Sequence, residues 1–246
     1  MNVTLLGHTQ LALPVHCKFQ GDLDFEHISE GQVIALAAIR QCYSHKTALE
    51  VLDTESEKYF GDKGQEGKRL FNHIVKSGHT STLEHIHFTF AVEGVSRALL
   101  AQLTRHRQLS FSVQSQRYSK FSSDSRSGGF DYVVPETVKN SKHEFFEPYS
   151  HRKLSAEDAF KEYMAEIQMM YNNLIEGGIP QEDARSVLPN AATCNLVTSG
   201  NLRSWLELYQ KRKKGNGAQA EIAEFAEQIK NAIVEVEPWV GEYFNL

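Results

Sequence analysis

Apolar residues recur along this chain at two spacings, and the spacing predicts the element. Val3 to His8 reads as a short opening strand. Ile86, Phe88, Phe90 and Val92 alternate with His87, Thr89 and Ala91, the period of two expected of a strand with one buried face. Elsewhere the period is helical. Ser29 is a suitable N-cap for a helix carrying Val33, Leu36, Ala37 and Ile39 and ending near Tyr43. A second helix runs from Lys68 to Lys76 and stops at Gly78, and Ser96 opens a third that carries Leu99, Leu100 and Leu103. Ser155 with Asp158 resembles a capping box, followed by Phe160, Met164, Ile167, Met170, Tyr171 and Leu174 on one predicted face. Gly177-Gly178-Ile179-Pro180 ends that helix. A short helix from Ala184 to Leu188 is cut by Pro189, another runs from Asn201 to about Lys211, and the last turns Ile222, Phe225, Ile229 and Ile233 inward. The pattern predicts a mixed α/β (α+β) fold in a single domain over residues 1–246; helices packed around a central, mainly antiparallel sheet are the expected architecture. The polar, glycine-containing stretch around 46–67 is expected to be a surface excursion.

Composition narrows the class. With 41% hydrophobic and 23% charged residues the chain is globular rather than disordered, and a net charge of −5 argues against a bulk nucleic-acid coat protein. No apolar run approaches the roughly 18 residues of a membrane span, and no secretory signal is visible at the start. The cysteines, Cys17, Cys42 and Cys194, are odd in number and form no CxxC pair, so neither a disulfide framework nor a thiolate metal site is expected. These features suggest a cytoplasmic enzyme or binding protein.

Charge is distributed unevenly. From Gly94 to Ser123 this acidic chain has no Asp or Glu, yet it holds Arg97, Arg105, Arg107, Arg117, Lys120 and His106. The window is rich in Arg rather than Lys and is interleaved with Ser, Gln and aromatics. Guanidinium forks hold phosphate bidentately, while hydroxyls and amides read a base or ring edge. Gln102 and Arg105, three apart, share a helical face. The window therefore points to a nucleotide pocket.

Arg105-His106-Arg107, seven residues and then Ser115 resembles the R-H-R-x7-S signature of the flavin-dependent thymidylate synthases. Gln116-Arg117-Tyr118, the segments Gly78 to His85 and Ala184 to Pro189, Asn201-Leu202-Arg203-Ser204, and Ala218 to Ile222 resemble further segments of that family in the same order. The family makes dTMP from dUMP, with 5,10-methylenetetrahydrofolate as carbon donor, NADPH as reductant and FAD as hydride carrier. The resemblance implies dUMP contacts at Gln102, Arg105, Gln114, Ser115, Gln116, Arg117, Arg185 and Arg212. It implies FAD contacts at His79, Ser81, Arg105, His106, Arg107, Val113, Asn201, Arg203 and Glu207, with the flavin at subunit interfaces of a homotetramer. Arg117 and Arg185 are expected to share the nucleotide phosphate, and Arg107 with Arg203 the FAD pyrophosphate.

On spacing alone, Lys211 to Lys214 reads as a solvated helix end, where cations suit the dipole. The resemblance implies that Arg212 faces the uracil, favours its ionised form and is the catalytic residue. All three cysteines lie outside the basic window, so attack by a thiolate on the base fits less well than a flavin route. Ser115 has no evident acid-and-His relay to activate it, which favours a hydrogen-bonding role. The chain also departs from the family. Ser112 and Val113 stand where Asn-Glu is frequent, so Val113 offers only its backbone. Glu207 stands where an amide or His is common, and Asn216 or Gly217 where a His is frequent.

Two other readings use the same residues. His79, Glu84, His85 and His87 are metal-binding types, but the usual ligand spacings are missing and no metal is expected. Residues 105–121, with Phe111, Tyr118 and Phe121, have the basic and aromatic mixture of a single-stranded nucleic-acid-binding module.

Overall fold

The computed structural model describes residues 1–21, 23–146 and 152–245, with 62 and 63 as backbone only. The elements run β1 (Asn2–His8), α1 (Leu13–Phe19), α2 (Glu30–Tyr43), α3 (Ala48–Lys76), a 3-10 turn (Thr80–His85), β2 (His87–Ser96), α4 (Arg97–Leu103) and β3 (Ser110–Val113). They continue with α5 (Glu136–Lys139), β4 (Glu144–Phe146), β5 (Lys153–Ser155), α6 (Ala156–Glu176), α7 (Gln181–Ala184), a 3-10 turn (Arg185–Val187) and β6 (Thr193–Asn201). α8 (Leu202–Arg212), α9 (Ala220–Val236) and a final 3-10 segment (Pro238–Asn245) close the fold.

The main sheet has the order β1-β2-β6-β3 and every pairing in it is antiparallel, as expected. β2 runs past the expected Val92 to Ser96 through a bulge, which Gly94 permits by taking φ +67°. β6, central in the sheet, has no strong apolar signature. Its inward positions are Cys194, Leu196, Thr198 and Gly200, because helix α8 and the loop before β3 press close to it. A Cβ at Gly200 would meet Leu109 Cδ2 at 2.3 Å and Trp205 at 3.6 Å.

The main core lies between this sheet and α2, α3, α4, α8 and α9, with Phe88, Phe90, Leu36, Trp205 and Phe225 among its fully buried side chains. A smaller apolar cluster joins α6 to the loop after β3 through Phe121, Phe130, Met164 and Tyr171. Gln168 pins that loop by accepting from Phe130 N (2.8 Å) and donating to Phe121 O (2.8 Å). Two expectations change here. The stretch 46–67 is largely the first part of α3, which starts at a Thr47–Glu50 capping box and buries Val51, Leu52, Tyr59 and Phe60 at helical spacing. Met170, placed on the inner face of α6, is half exposed, whereas Met164 and Tyr171 point inward as expected.

Capping residues hold the ends that matter for the site. Ser29 and Gln32 form a reciprocal capping box on α2, and the buried Glu237 carboxylate bonds the Ser29 hydroxyl and accepts from Trp239 Nε1 at 2.5 Å. Burial pushes the Glu237 carboxyl above its ordinary range, against the pull of those hydrogen bonds. Ser96, 2% exposed, caps α4 by accepting from Leu99 N at 3.0 Å. Glu221 of α9 accepts from both the Ser96 N–H (2.8 Å) and its hydroxyl (2.5 Å). Replacing Ser96 with Ala removes the cap and leaves Glu221 short of a donor. It is expected to cost about 1–2 kcal/mol, to be read as a lower urea midpoint at unchanged slope.

Candidate functional site

Three groups of polar side chains gather along the ends of β2, β3 and β6. The first lies where the end of α4 meets the end of α8. Arg212 donates from Nε to His106 Nε2 at 3.0 Å and from Nη2 to the main-chain oxygen of Gln102 at 3.2 Å. Gln102 turns its amide to Gln219 Oε1 at 2.6 Å. His106 is half buried on the turn after α4, and its pKa is lowered to about 4 by burial first and then by the Arg212 cation beside it. Arg105 and Arg107 flank it and are exposed.

The second group forms where the segment after β3 meets α7. Gln114 is fixed to β6 by two bonds to the Asn195 backbone, 2.8 Å from its N–H and 3.2 Å at its side-chain oxygen. Ser115 Oγ accepts from Arg117 N at 3.2 Å, a local turn contact with no acid or imidazole relay. Gln116 is buried, and its carbonyl accepts from Gln181 Nε2 at 3.4 Å. Arg117 points two N–H groups at Glu182 Oε2, at 3.1 Å from Nε and 2.9 Å from Nη2, while Arg185 donates Nε to the Glu182 main-chain oxygen at 3.0 Å. Two arginines 68 positions apart in sequence thus meet at one residue. An anion held by both would replace the carboxylate that occupies Arg117 in the free chain.

The third group surrounds the start of α8. Asn201 caps the helix, accepting at Oδ1 from Ser204 N (2.9 Å) and Ser204 Oγ (2.8 Å), which leaves its amide N–H groups for another partner. Arg203 is held between Glu84 (2.7 Å) and Glu207 (3.1 Å), and these carboxylates raise its pKa. His79 Nδ1 lies 2.8 Å from the Tyr43 hydroxyl, and Ser81 is exposed on the 3-10 turn beside it. Val113 pairs with Leu196 through its backbone at the end of β3.

The structure therefore joins Arg117 with Arg185, and Arg212 with His106 and Gln102. It does not bring Arg107 and Arg203 into one contact, since Arg107 lies exposed on its loop and Arg203 is already paired. Sequence reasoning missed Glu182, Gln219 and Tyr43 as partners of these residues. For the first two the only signal was their position: Glu182 lies just ahead of the Ala184-Arg185 segment and Gln219 within the Ala218–Ile222 segment.

The aromatic residues of 105–121 do not form a stacking platform. Phe121 is buried in the smaller cluster and Phe111 packs against the main core, leaving Tyr118 exposed at 83%. Of the four metal-binding types noted in the sequence, Glu84 bonds Arg203 and His79 bonds Tyr43. Cys17 and Cys42 are exposed and Cys194 is buried; burial pushes the Cys194 thiol above its ordinary pKa, so it is protonated at neutral pH. No helix among the described residues is long and apolar enough to cross a membrane.

Guanidinium forks drawn from distant segments, with imidazole and amide side chains around them, are the equipment of an enzyme that handles phosphorylated nucleotides. The comparisons narrow this to a family. Residues 25–239 match the family described as Thymidylate synthase complementing protein. A flavin-dependent thymidylate synthase from Nitratidesulfovibrio vulgaris is 37% identical over 195 residues, covering 76% of this chain and 71% of its own. Another from Geobacter sulfurreducens is 33% identical over 215 residues, covering 87% and 82%. The fold is shared with the flavin-dependent thymidylate synthase of Helicobacter pylori, solved with FAD and dUMP, at TM-score 0.62 and 22% identity over 99% of this chain and 98% of that one. It is shared too with a UMP/dUMP methylase from Streptomyces cacaoi bound with 5-Br dUMP, at TM-score 0.68 and 21% identity over 99% and 94%. The chain belongs to the flavin-dependent thymidylate synthase family and is an enzyme of that kind.

Proposed function

We propose that this chain methylates dUMP to dTMP with 5,10-methylenetetrahydrofolate as carbon donor and NADPH as reductant, using bound FAD and no cysteine nucleophile. The observation that carries the substrate assignment is the meeting of Arg117 and Arg185 at Glu182. A nucleoside monophosphate brings about −2 of charge at neutral pH, which suits two converging guanidinium groups. Gln114, Ser115 and Gln116 lead into this subsite, while Gln102, Arg105 and Arg212 line the side reserved for the base.

The donor set also fits FAD. Arg105 and Arg107 are open to a pyrophosphate, and Arg203 joins them by exchanging one of its carboxylates, Glu84 or Glu207, for it. His79, Ser81, His106, Asn201 and the Val113 backbone offer hydrogen-bonding groups for a ring edge, and Glu207 orients Arg203. When bound, the flavin supplies hydride transfer; the chain supplies charge and orientation. Arg212 stabilises negative charge that develops on the pyrimidine. Arg105 and Arg107, open to solvent in one chain, support a flavin shared between subunits of a homotetramer. Unpaired cysteines agree with action in the cytoplasm.

The test is an absorption spectrum of the purified chain after incubation with FAD, followed by a dUMP titration and an assay for tritium release from C5 of labelled dUMP. A flavin spectrum that dUMP perturbs, with NADPH-dependent tritium release, is expected. A chain that binds neither ligand, but binds oligonucleotides, would overturn the reading. Arg117→Ala or Arg185→Ala should weaken dUMP by roughly 1.5–3 kcal/mol, the worth of a charged hydrogen bond, with FAD binding retained. Normal dUMP affinity in both variants would remove the phosphate subsite from this place.

A further inference from the structure

Arg212 is the last residue of α8 and is followed by Lys213, Lys214 and two glycines at positive φ, Gly215 and Gly217. A long side chain in such a place ordinarily samples many rotamers. Here one edge of the guanidinium is tied down: Nε donates to His106 Nε2 and Nη2 to the Gln102 carbonyl, a last-turn oxygen of α4. The remaining N–H groups have no partner among the described residues.

We infer that His106 is a positioning residue for Arg212: its bare Nε2 takes the Nε–H of the guanidinium and so fixes which N–H groups remain for the pyrimidine. This rests on the reading that Arg212 faces the uracil. The bond requires an unprotonated Nε2, so the imidazole carries its proton on Nδ1 and keeps that N–H as a donor for a second ligand. The surroundings enforce the neutral form. Burial, Arg212 and Lys211 of α8, and Arg105 on its own loop all disfavour the imidazolium; Glu207 of α8 opposes them. Below about pH 4 the imidazole gains a proton, loses its acceptor and repels Arg212. A guanidinium fixed before the substrate arrives loses less freedom on binding and reorganises less during reaction.

The tautomer is testable on the full chain by ¹⁵N imidazole spectra, with His106→Gln identifying the resonance. The expected result is an Nδ1–H tautomer that does not titrate above pH 5, and a pKa that moves upward in Arg212→Ala. A His106 that titrates near its ordinary value, or whose pKa is unmoved by Arg212→Ala, would overturn the inference. Turnover provides a second reading at saturating FAD and dUMP. His106→Gln can place its amide oxygen where Nε2 sits and should lose less kcat than His106→Leu, which should lose at least tenfold. Equal kcat in the two variants would also overturn it. Failure of the wild-type chain to bind FAD and dUMP would instead defeat the functional reading, and the imidazole spectra would still decide whether the bond exists.

Discussion

Arg212→Ala is expected to cut the rate of tritium release from C5 of dUMP by roughly 10²–10³-fold, the loss typical of removing one fixed electrostatic donor. Its fold should survive. Arg212 is only partly buried at the end of α8, and its two hydrogen bonds, to His106 and to the Gln102 carbonyl, contribute about 1 kcal/mol each to stability. Thermal unfolding followed by circular dichroism separates the two effects. Arg212→Lys keeps a charge but not the planar fork, so it cannot hold the His106 and Gln102 contacts and still present paired N–H groups. It should fall between wild type and Ala. Wild-type turnover in Arg212→Ala would show that the charge on the pyrimidine is met elsewhere.

Trp205→Ala is expected to cost about 3–5 kcal/mol of stability. The indole is wholly buried, donates Nε1 to the Gly200 carbonyl at 3.0 Å, and meets Phe90 edge-on with centroids 5.2 Å apart. It thereby fixes the angle at which α8 leaves β6. That helix carries Asn201 and Arg203 at one end and Arg212 at the other, so a collapse around position 205 disturbs two polar groups together. Trp205→Phe retains much of the volume and should lose less. Urea unfolding measures both variants, and a loss below 1 kcal/mol in Trp205→Ala would mean that the helix is held chiefly by other contacts.

What the sequence revealed was local. Ser29 with Gln32, Ser96 ahead of Leu99, and Asn201 ahead of Ser204 announce helix starts because their side chains reach N–H groups two or three residues on. The alternation from Ile86 to Val92 announces β2. β6 stayed hidden because its inward positions must be small where Leu109 and Trp205 crowd it, so Thr198 and Gly200 stand where an apolar signal was sought. The start of α3 was obscured by Gly61, Gly64 and Gly67, although Thr47 and Glu50 were there to be read. In the candidate site, the arginines were legible as an acid-free window. Their carboxylate partners Glu182 and Glu84 were not, because a pairing between residues 65 or 119 positions apart leaves no mark in spacing, whereas Glu207, four residues after Arg203 on α8, lies at a spacing that can be read.

Glu182 also governs how the protein meets salt. Arg117 carries a built-in counter-ion in Glu182, so if it takes the nucleotide phosphate as proposed, one anion is exchanged for another and few mobile ions are stripped from a bare cation. The affinity for dUMP should therefore vary only shallowly with ionic strength, less than the number of nearby arginines suggests.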